Sequence, residues 1–152
     1  MRTLIKNGTV VTAERSFRAD ILIEGEKISQ IAPALDCADA EVVDAAGLLI
    51  LPGGIDAHVH INLPMGATVS SDDYYTGSKA AAFGGTTTMI DFVSQDAGSL
   101  AENVARKRAE AEDKAAIDYS LHMNITRFDE DVAEELAELP SLGIHSIKVF
   151  TA

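Results

Sequence analysis

Hydrophobic residues in the first third of the chain come in short bursts broken by turn formers. Thr3–Lys6 and Thr9–Thr12 flank Asn7-Gly8, a dipeptide that favours the left-handed angles of a two-residue turn, so the pattern predicts a hairpin there. Asp20–Glu24 meets the turn Gly25-Glu26 and resumes as Lys27–Ile31, and Glu41–Asp44 supplies a further strand. No helical spacing interrupts these runs, which predicts a small module of β-sandwich type over residues 1–50.

The spacing then changes to strand, loop and helix in repetition. Leu48–Leu51 and Gly54–His60 read as the first strand, and Ser71-Asp-Asp as the start of a helix with Ser71 as its N-cap. That helix runs through Phe83 and stops at Gly84-Gly85. Thr86–Val93 is β-branched and apolar enough for a buried parallel strand. Ser99–Ala115 is helical, Asp118–Ile125 a strand, Asp129–Leu139 a helix and Ser146–Phe150 a strand. Four strands alternating with three helices over residues 51–152 make an α/β unit, compatible with a doubly wound sheet or with a (β/α)8 TIM-like barrel. A barrel of about 250 residues closes with eight strands, so on the barrel reading the chain is expected to be the first half of an incomplete barrel and the N-terminal portion of a larger protein.

Charge narrows the partners. Asp and Glu number 24 against 12 Lys and Arg, and the formal net charge of −12 opposes binding to nucleic acid or to an anionic membrane surface. The acids gather around residues 109–113 and 129–138, as solvated helix faces. The single cysteine, Cys37, allows no internal disulfide and fits a reducing compartment. Lys6 and Asn7 interrupt the opening apolar run, no signal peptide or membrane span is legible, and a cytoplasmic location is expected.

The residues with chemical potential lie at strand ends. Residues i and i+2 of a strand share a face, so His58 and His60 would present neighbouring imidazoles, with Asp56 two residues earlier as a support or a further ligand. Such a pair suits Zn²⁺ or a similar cation, and it also suits ordinary buried histidines. Lys148 is the lone charge in Ile144–Thr151; by itself it is compatible with a lysine snorkelling to the strand end. Beside divalent cations, however, a lysine driven to its neutral amine can take up carbon dioxide and become an anionic carbamate with two bridging oxygens. His122 reads as a hydrogen-bonded core or strand-end histidine, His145 as solvated, Asp91 as structural, and Gly84-Gly85 as a helix stop without a phosphate loop around it.

Four stretches carry a specific resemblance: Pro52–His60, Leu63–Asp73, Lys79–Phe92 and Gly143–Phe150 closely resemble the hydantoinase/dihydropyrimidinase family of the amidohydrolase superfamily, in order and over essentially the whole chain. The resemblance implies two divalent metal ions, usually zinc, with His58 and His60 on the more buried one and Lys148, N6-carboxylated by CO2, bridging both. It implies that two further histidines, an aspartate and a tyrosine fall beyond Ala152, so that the chain alone holds metal ligands but not the rest of the active site. The implied reaction is hydrolysis of the cyclic amide bond of hydantoins or dihydropyrimidines to N-carbamoyl amino acids, in a homo-oligomer, tetrameric in many relatives. Carboxylate-binding sister enzymes place an arginine two residues after the second histidine; Asn62 stands there, which favours a neutral cyclic diamide. Leu63, Met65 and Phe150 match the positions that line the pocket for the ring substituent, and simple loop packing explains them equally well. A non-catalytic scaffold relative and a sister enzyme such as an allantoinase are the alternatives; retention of His58, His60 and Lys148 argues against the first.

Overall fold

The computed structural model describes residues 1–151 and divides into two compact units, Met1–Pro52 and Gly53–Ala152. In the first unit the strands are β1 (Arg2–Lys6), β2 (Thr9–Val11), β3 (Ser16–Arg18), β4 (Asp20–Glu24), β5 (Lys27–Ala32), β6 (Glu41–Asp44) and β7 (Leu49–Ile50). They form a four-stranded sheet in the order β5-β4-β1-β6 and a three-stranded sheet in the order β3-β2-β7. Val10, Ala19 and Ile21 are the buried centre between them, with Ile5, Phe17, Ile23 and Ile50 packed around it.

The expected hairpin at Asn7-Gly8 does not form. β1 pairs with β4 and β6, whereas β2 pairs with β3 and β7, so Asn7-Gly8 passes the chain from one sheet to the other. Asn7 takes the positive φ of 65° that the dipeptide favours. Its N–H, however, donates to Asp20 Oδ1 at 2.9 Å and its side-chain amide to Asp44 Oδ1 at 2.9 Å. Those partners compete with a β1–β2 ladder. Gly8 has a packing reason as well, because a Cβ there would stand 2.3 Å from Ile50 Cδ1.

In the second unit β8 (Gly54–Asp56) is followed by a small hairpin, β9 (Pro64–Met65) with β10 (Thr68–Val69), which the sequence pattern did not suggest. Next come α1 (Tyr74–Phe83), β11 (Thr86–Ser94), α2 (Leu100–Ala111), β12 (Asp118–Ile125), α3 (Glu130–Glu138) and β13 (Ile147–Val149). The N-cap of α1 is Asp73, not Ser71: its carboxylate accepts from Thr76 N at 2.8 Å, and Thr76 Oγ1 accepts from Asp73 N at 3.1 Å, closing a reciprocal capping box. Ser99 and Glu102 form the same box on α2, which ends at Ala111, four residues before the expected Ala115.

β8, β11, β12 and β13 are all parallel and lie in the order β13-β12-β11-β8, so spatial order follows chain order. With right-handed crossovers, sequential order puts every helix on the same face, which curls the sheet into a half-barrel and excludes the doubly wound alternative. The core agrees. Val93, Leu121, Met123 and Ile125 of the sheet pack on Leu100 and Val104 of α2, Val132 of α3, and Leu139 and Ile144 beyond it. No helix among the described residues is long and apolar enough to cross a membrane.

Candidate metal centre

The site begins where β8 stops. His58 N donates to Asp56 Oδ1 at 3.1 Å, and this side-chain turn ends the strand at Asp56. His58 and His60 therefore lie in the segment beyond the strand and not on it, as the alternation had suggested. Alternation itself persists, because Val59 N donates to Ile90 O at 3.1 Å and keeps the segment alongside β11. Val59 and Ile61 pack inward on Tyr74, Met89 and Ala111, while His58 and His60 stand clear over the ring of Phe92. Ile61 fits because α1 carries Gly77 beneath it; a Cβ there would come within 2.6 Å of Ile61 Cδ1.

Phe92 is the platform of the site. Its ring centroid lies 4.7 Å from that of His58, 5.0 Å from that of His60 and 5.0 Å from that of His122, and Lys148 Nζ stands 4.5 Å from it. Strand register explains the gathering. Phe92 is opposite His122 across the β11–β12 ladder and Asn124 is opposite Lys148 across the β12–β13 ladder, and His122 and Asn124 share a face. The platform was not read from the sequence, since an aromatic in a buried strand reads as plain core.

Two ring nitrogens, His58 Nε2 and His60 Nε2, are 3.3 Å apart. Two nitrogens each ~2.05 Å from one tetrahedral zinc are separated by about 3.3 Å, so the pair has the spacing of two ligands to a single cation. Burial pushes the His60 imidazole below its ordinary range, the charges of His58 and Lys148 add to this, Asp91 opposes and Lys107 reinforces it. A lowered value favours the neutral ring that a metal ligand must be. Among the described residues no three His, Cys, Asp or Glu side chains converge as a cation-holding group, and the other charged side chain over the platform is Lys148, whose Nζ is 4.5 Å from the Phe92 ring centroid.

His122 is not a free ligand: Nδ1 is hydrogen-bonded with Ser146 Oγ, and Nε2 lies 3.1 Å from Ala57 O. Its ring ties the end of β8 to the approach to β13. His145 is exposed ahead of that strand. A cleft of about 400 Å³ opens beside the platform, with His60, Leu63, Asp91, Phe92, Lys148 and Phe150 in its walls. Met65 lies in the β9–β10 hairpin, 53% exposed, and is not part of the lining. Asn62 takes φ 51° and its amide donates to Glu110 Oε2 at 3.4 Å.

Behind the platform is a buried polar group. Asp91, 1% exposed, accepts from Phe92 N at 2.7 Å and from the Tyr74 hydroxyl at 2.9 Å, and pairs with Lys107 Nζ at 3.0 Å. Burial, then the Asp91 charge, raise the Tyr74 hydroxyl far above the ordinary phenol range, so it donates as a neutral O–H. One signal was available in the sequence. Asp91 is in phase with Met89 and Val93, the helix-facing residues of β11, and a lone carboxylate on that face needs a cation from a helix.

The sequence model described as the amidohydrolase family matches residues 49–151. A D-hydantoinase of Geobacillus stearothermophilus is 47% identical over 154 residues, covering 100% of this chain and 33% of its own length. A D-hydantoinase of Ralstonia pickettii is 49% identical over 153 residues with the same coverage. The crystal structure of dihydropyrimidinase from Brevibacillus agri superposes with a TM-score of 0.95 at 48% identity, covering 100% of this chain and 33% of that one. The chain thus spans about one third of the length of the relatives it matches.

Proposed function

Because the chain belongs to the hydantoinase/dihydropyrimidinase family of amidohydrolases, whose full-length enzymes have a binuclear metal site, we propose that it supplies the first part of such a site in an enzyme that hydrolyses neutral cyclic diamides to N-carbamoyl amino acids. His58 and His60 would hold one divalent cation, zinc by the chemistry of two imidazoles, and Lys148, once carboxylated, would supply anionic oxygen ligands beside them. When bound, the pair of cations polarises a ring carbonyl and lowers the pKa of the attacking water. The observation that carries this reading is the 3.3 Å separation of the two Nε2 atoms above the same Phe92 ring that Lys148 Nζ approaches to 4.5 Å.

The chain's own residues do the rest. Phe92 fixes both imidazoles from one side and gives the Lys148 amine a weakly hydrated surface to rest on. Leu63 and Phe150 line the cleft with apolar surface for the substituent of the ring, and Met65 contributes only if the β9–β10 hairpin folds over it. Asn62, already tied to Glu110, offers no cation to a carboxylated ring. A homotetrameric, cytoplasmic enzyme completes the reading, the tetramer resting on resemblance to the family and the location on the single cysteine, Cys37, which suits a reducing compartment.

The test is metal content and hydrolysis of dihydrouracil and hydantoin by the full-length protein. Lys148→Ala is expected to lower metal occupancy and abolish turnover, with a short carboxylic acid restoring part of it and an added amine none. Two retained metals and near-normal turnover in Lys148→Ala would return Lys148 to the role of a snorkelling lysine.

A further inference from the structure

The segment that carries His60 is gripped from behind by a single ammonium. Lys107 Nζ, on α2, donates to Ile61 O at 2.7 Å, pairs with Asp91 Oδ2 at 3.0 Å and with Glu110 Oε2 at 3.2 Å, and lies 5.2 Å from the centroid of the Tyr74 ring. Its side chain is only 12% exposed and that of Asp91 2%. The Asp91 carboxylate in turn reaches both sides of the site: Oδ1 accepts from Phe92 N at 2.7 Å, in the platform, and from Ile61 N at 3.4 Å, in the histidine segment.

A buried ion pair adds little net stability over apolar residues of the same shape, because desolvating two charges offsets most of their attraction. It does fix geometry, since each charge is held wherever the other is. Here the fixed point is the backbone of Ile61, whose N–H and C=O, in the two peptide groups that flank its Cα, are both engaged by the pair, one residue after His60. Tyr74 restricts the carboxylate further, and Glu110 balances the ammonium while accepting from Asn62. The two carboxylates exceed the one ammonium by a single negative charge, so the network does not repel a cation on the far side of the segment.

We infer that the Asp91–Lys107 pair is a positioning device for the metal centre: it holds the Ile61 backbone against Phe92 and so sets the distance between the His58 and His60 nitrogens. Both act on the histidine pair through the backbone. The inference rests on the metal-centre reading for its consequence but not for its mechanism, which concerns the segment whether or not a cation is bound.

The experiment uses the full-length protein in three forms: Lys107→Met, Lys107→Arg and the double variant Asp91→Asn/Lys107→Met. The double variant leaves no buried charge unpaired, so it keeps the proposal testable if Lys107→Met alone fails to fold. In metal-free protein, amide hydrogen exchange over residues 60–63 should speed up in the double variant while its melting temperature stays near that of the wild type. In zinc-loaded protein, release of zinc to a chelator should quicken by about 10- to 100-fold, kcat should fall with little change in KM, and Lys107→Arg should recover part of both. Unchanged exchange over residues 60–63 in the folded double variant would overturn the positioning role. A wild-type protein that binds no zinc would instead refute the metal-centre reading and leave the exchange result to decide this one.

Discussion

At the scale of single residues, the account turns on which side chains do chemistry and which hold them. His58, His60 and Lys148 were singled out in the sequence as candidate ligands by the resemblance to a family, because on pattern alone the pair also suits ordinary buried histidines and the lysine a strand-end snorkel. Phe92 and Lys107 were not, for the opposite reason: a phenylalanine in a buried strand and a lysine on a helix are what those elements normally carry. Phe92→Leu keeps apolar volume but removes the flat surface shared by His58, His60 and Lys148. Steady-state kinetics on the full-length variant should show kcat/KM reduced by about tenfold or more, with melting little changed. A variant as active as the wild type would show that the ring only fills space. Tyr74→Phe deletes one hydrogen bond to a buried carboxylate and is expected to cost about 1–3 kcal/mol of stability, measured by denaturant unfolding.

At the scale of elements, capping and turn chemistry explain both the correct expectations and the errors. Helix existence followed from periodicity, but the N-cap of α1 moved to Asp73 because only there does a side chain three residues later, that of Thr76, complete the box. Ser99→Ala, which removes the corresponding cap from α2, is expected to lower stability by about 1 kcal/mol. The failed hairpin teaches more. Asn7-Gly8 specifies a local backbone shape, and long-range partners, Asp20 and Asp44, decide where the chain leaves it. Three of these anchoring carboxylates are held below the ordinary range: Asp20 by the backbone N–H groups of Asn7 and Leu35, Asp44 by the Asn7 side chain and Ala46 N, and Asp73 by Thr76. A depressed folded-state value means stability present above the unfolded value and lost as pH falls through the folded one. Melting temperature should therefore fall below about pH 4, and Asp20→Asn should flatten part of that acid limb while lowering stability at neutral pH. An acid limb identical in Asp20→Asn would show that this anchor contributes nothing.

At the scale of the molecule, the strand and helix alternation identified an α/β unit but not its closure. Either a doubly wound sheet or a barrel satisfies that alternation, and the sequential strand order, which lies in pairing between residues far apart, decides for the half-barrel. Its two edge strands, β8 and β13, expose Ile55, Ile147 and Val149, each at 52% or more, and Phe150 follows at 65%. Unpaired parallel edges with apolar side chains attract further strands. Residues 1–152 expressed alone are thus expected to self-associate and to hydrolyse no cyclic diamide, as sedimentation and a ring-opening assay would show. A monodisperse, cooperatively unfolding monomer would contradict this. The central claim is that His58 and His60 hold one cation beside a carboxylated Lys148, and anomalous diffraction at the zinc edge from crystals of the full-length protein tests it most directly. The account predicts an anomalous peak about 2.1 Å from both His58 Nε2 and His60 Nε2, with density continuing from Lys148 Nζ to a second peak. A zinc-soaked crystal with no peak at the histidine pair, or with an unmodified Lys148 turned away from it, would contradict it.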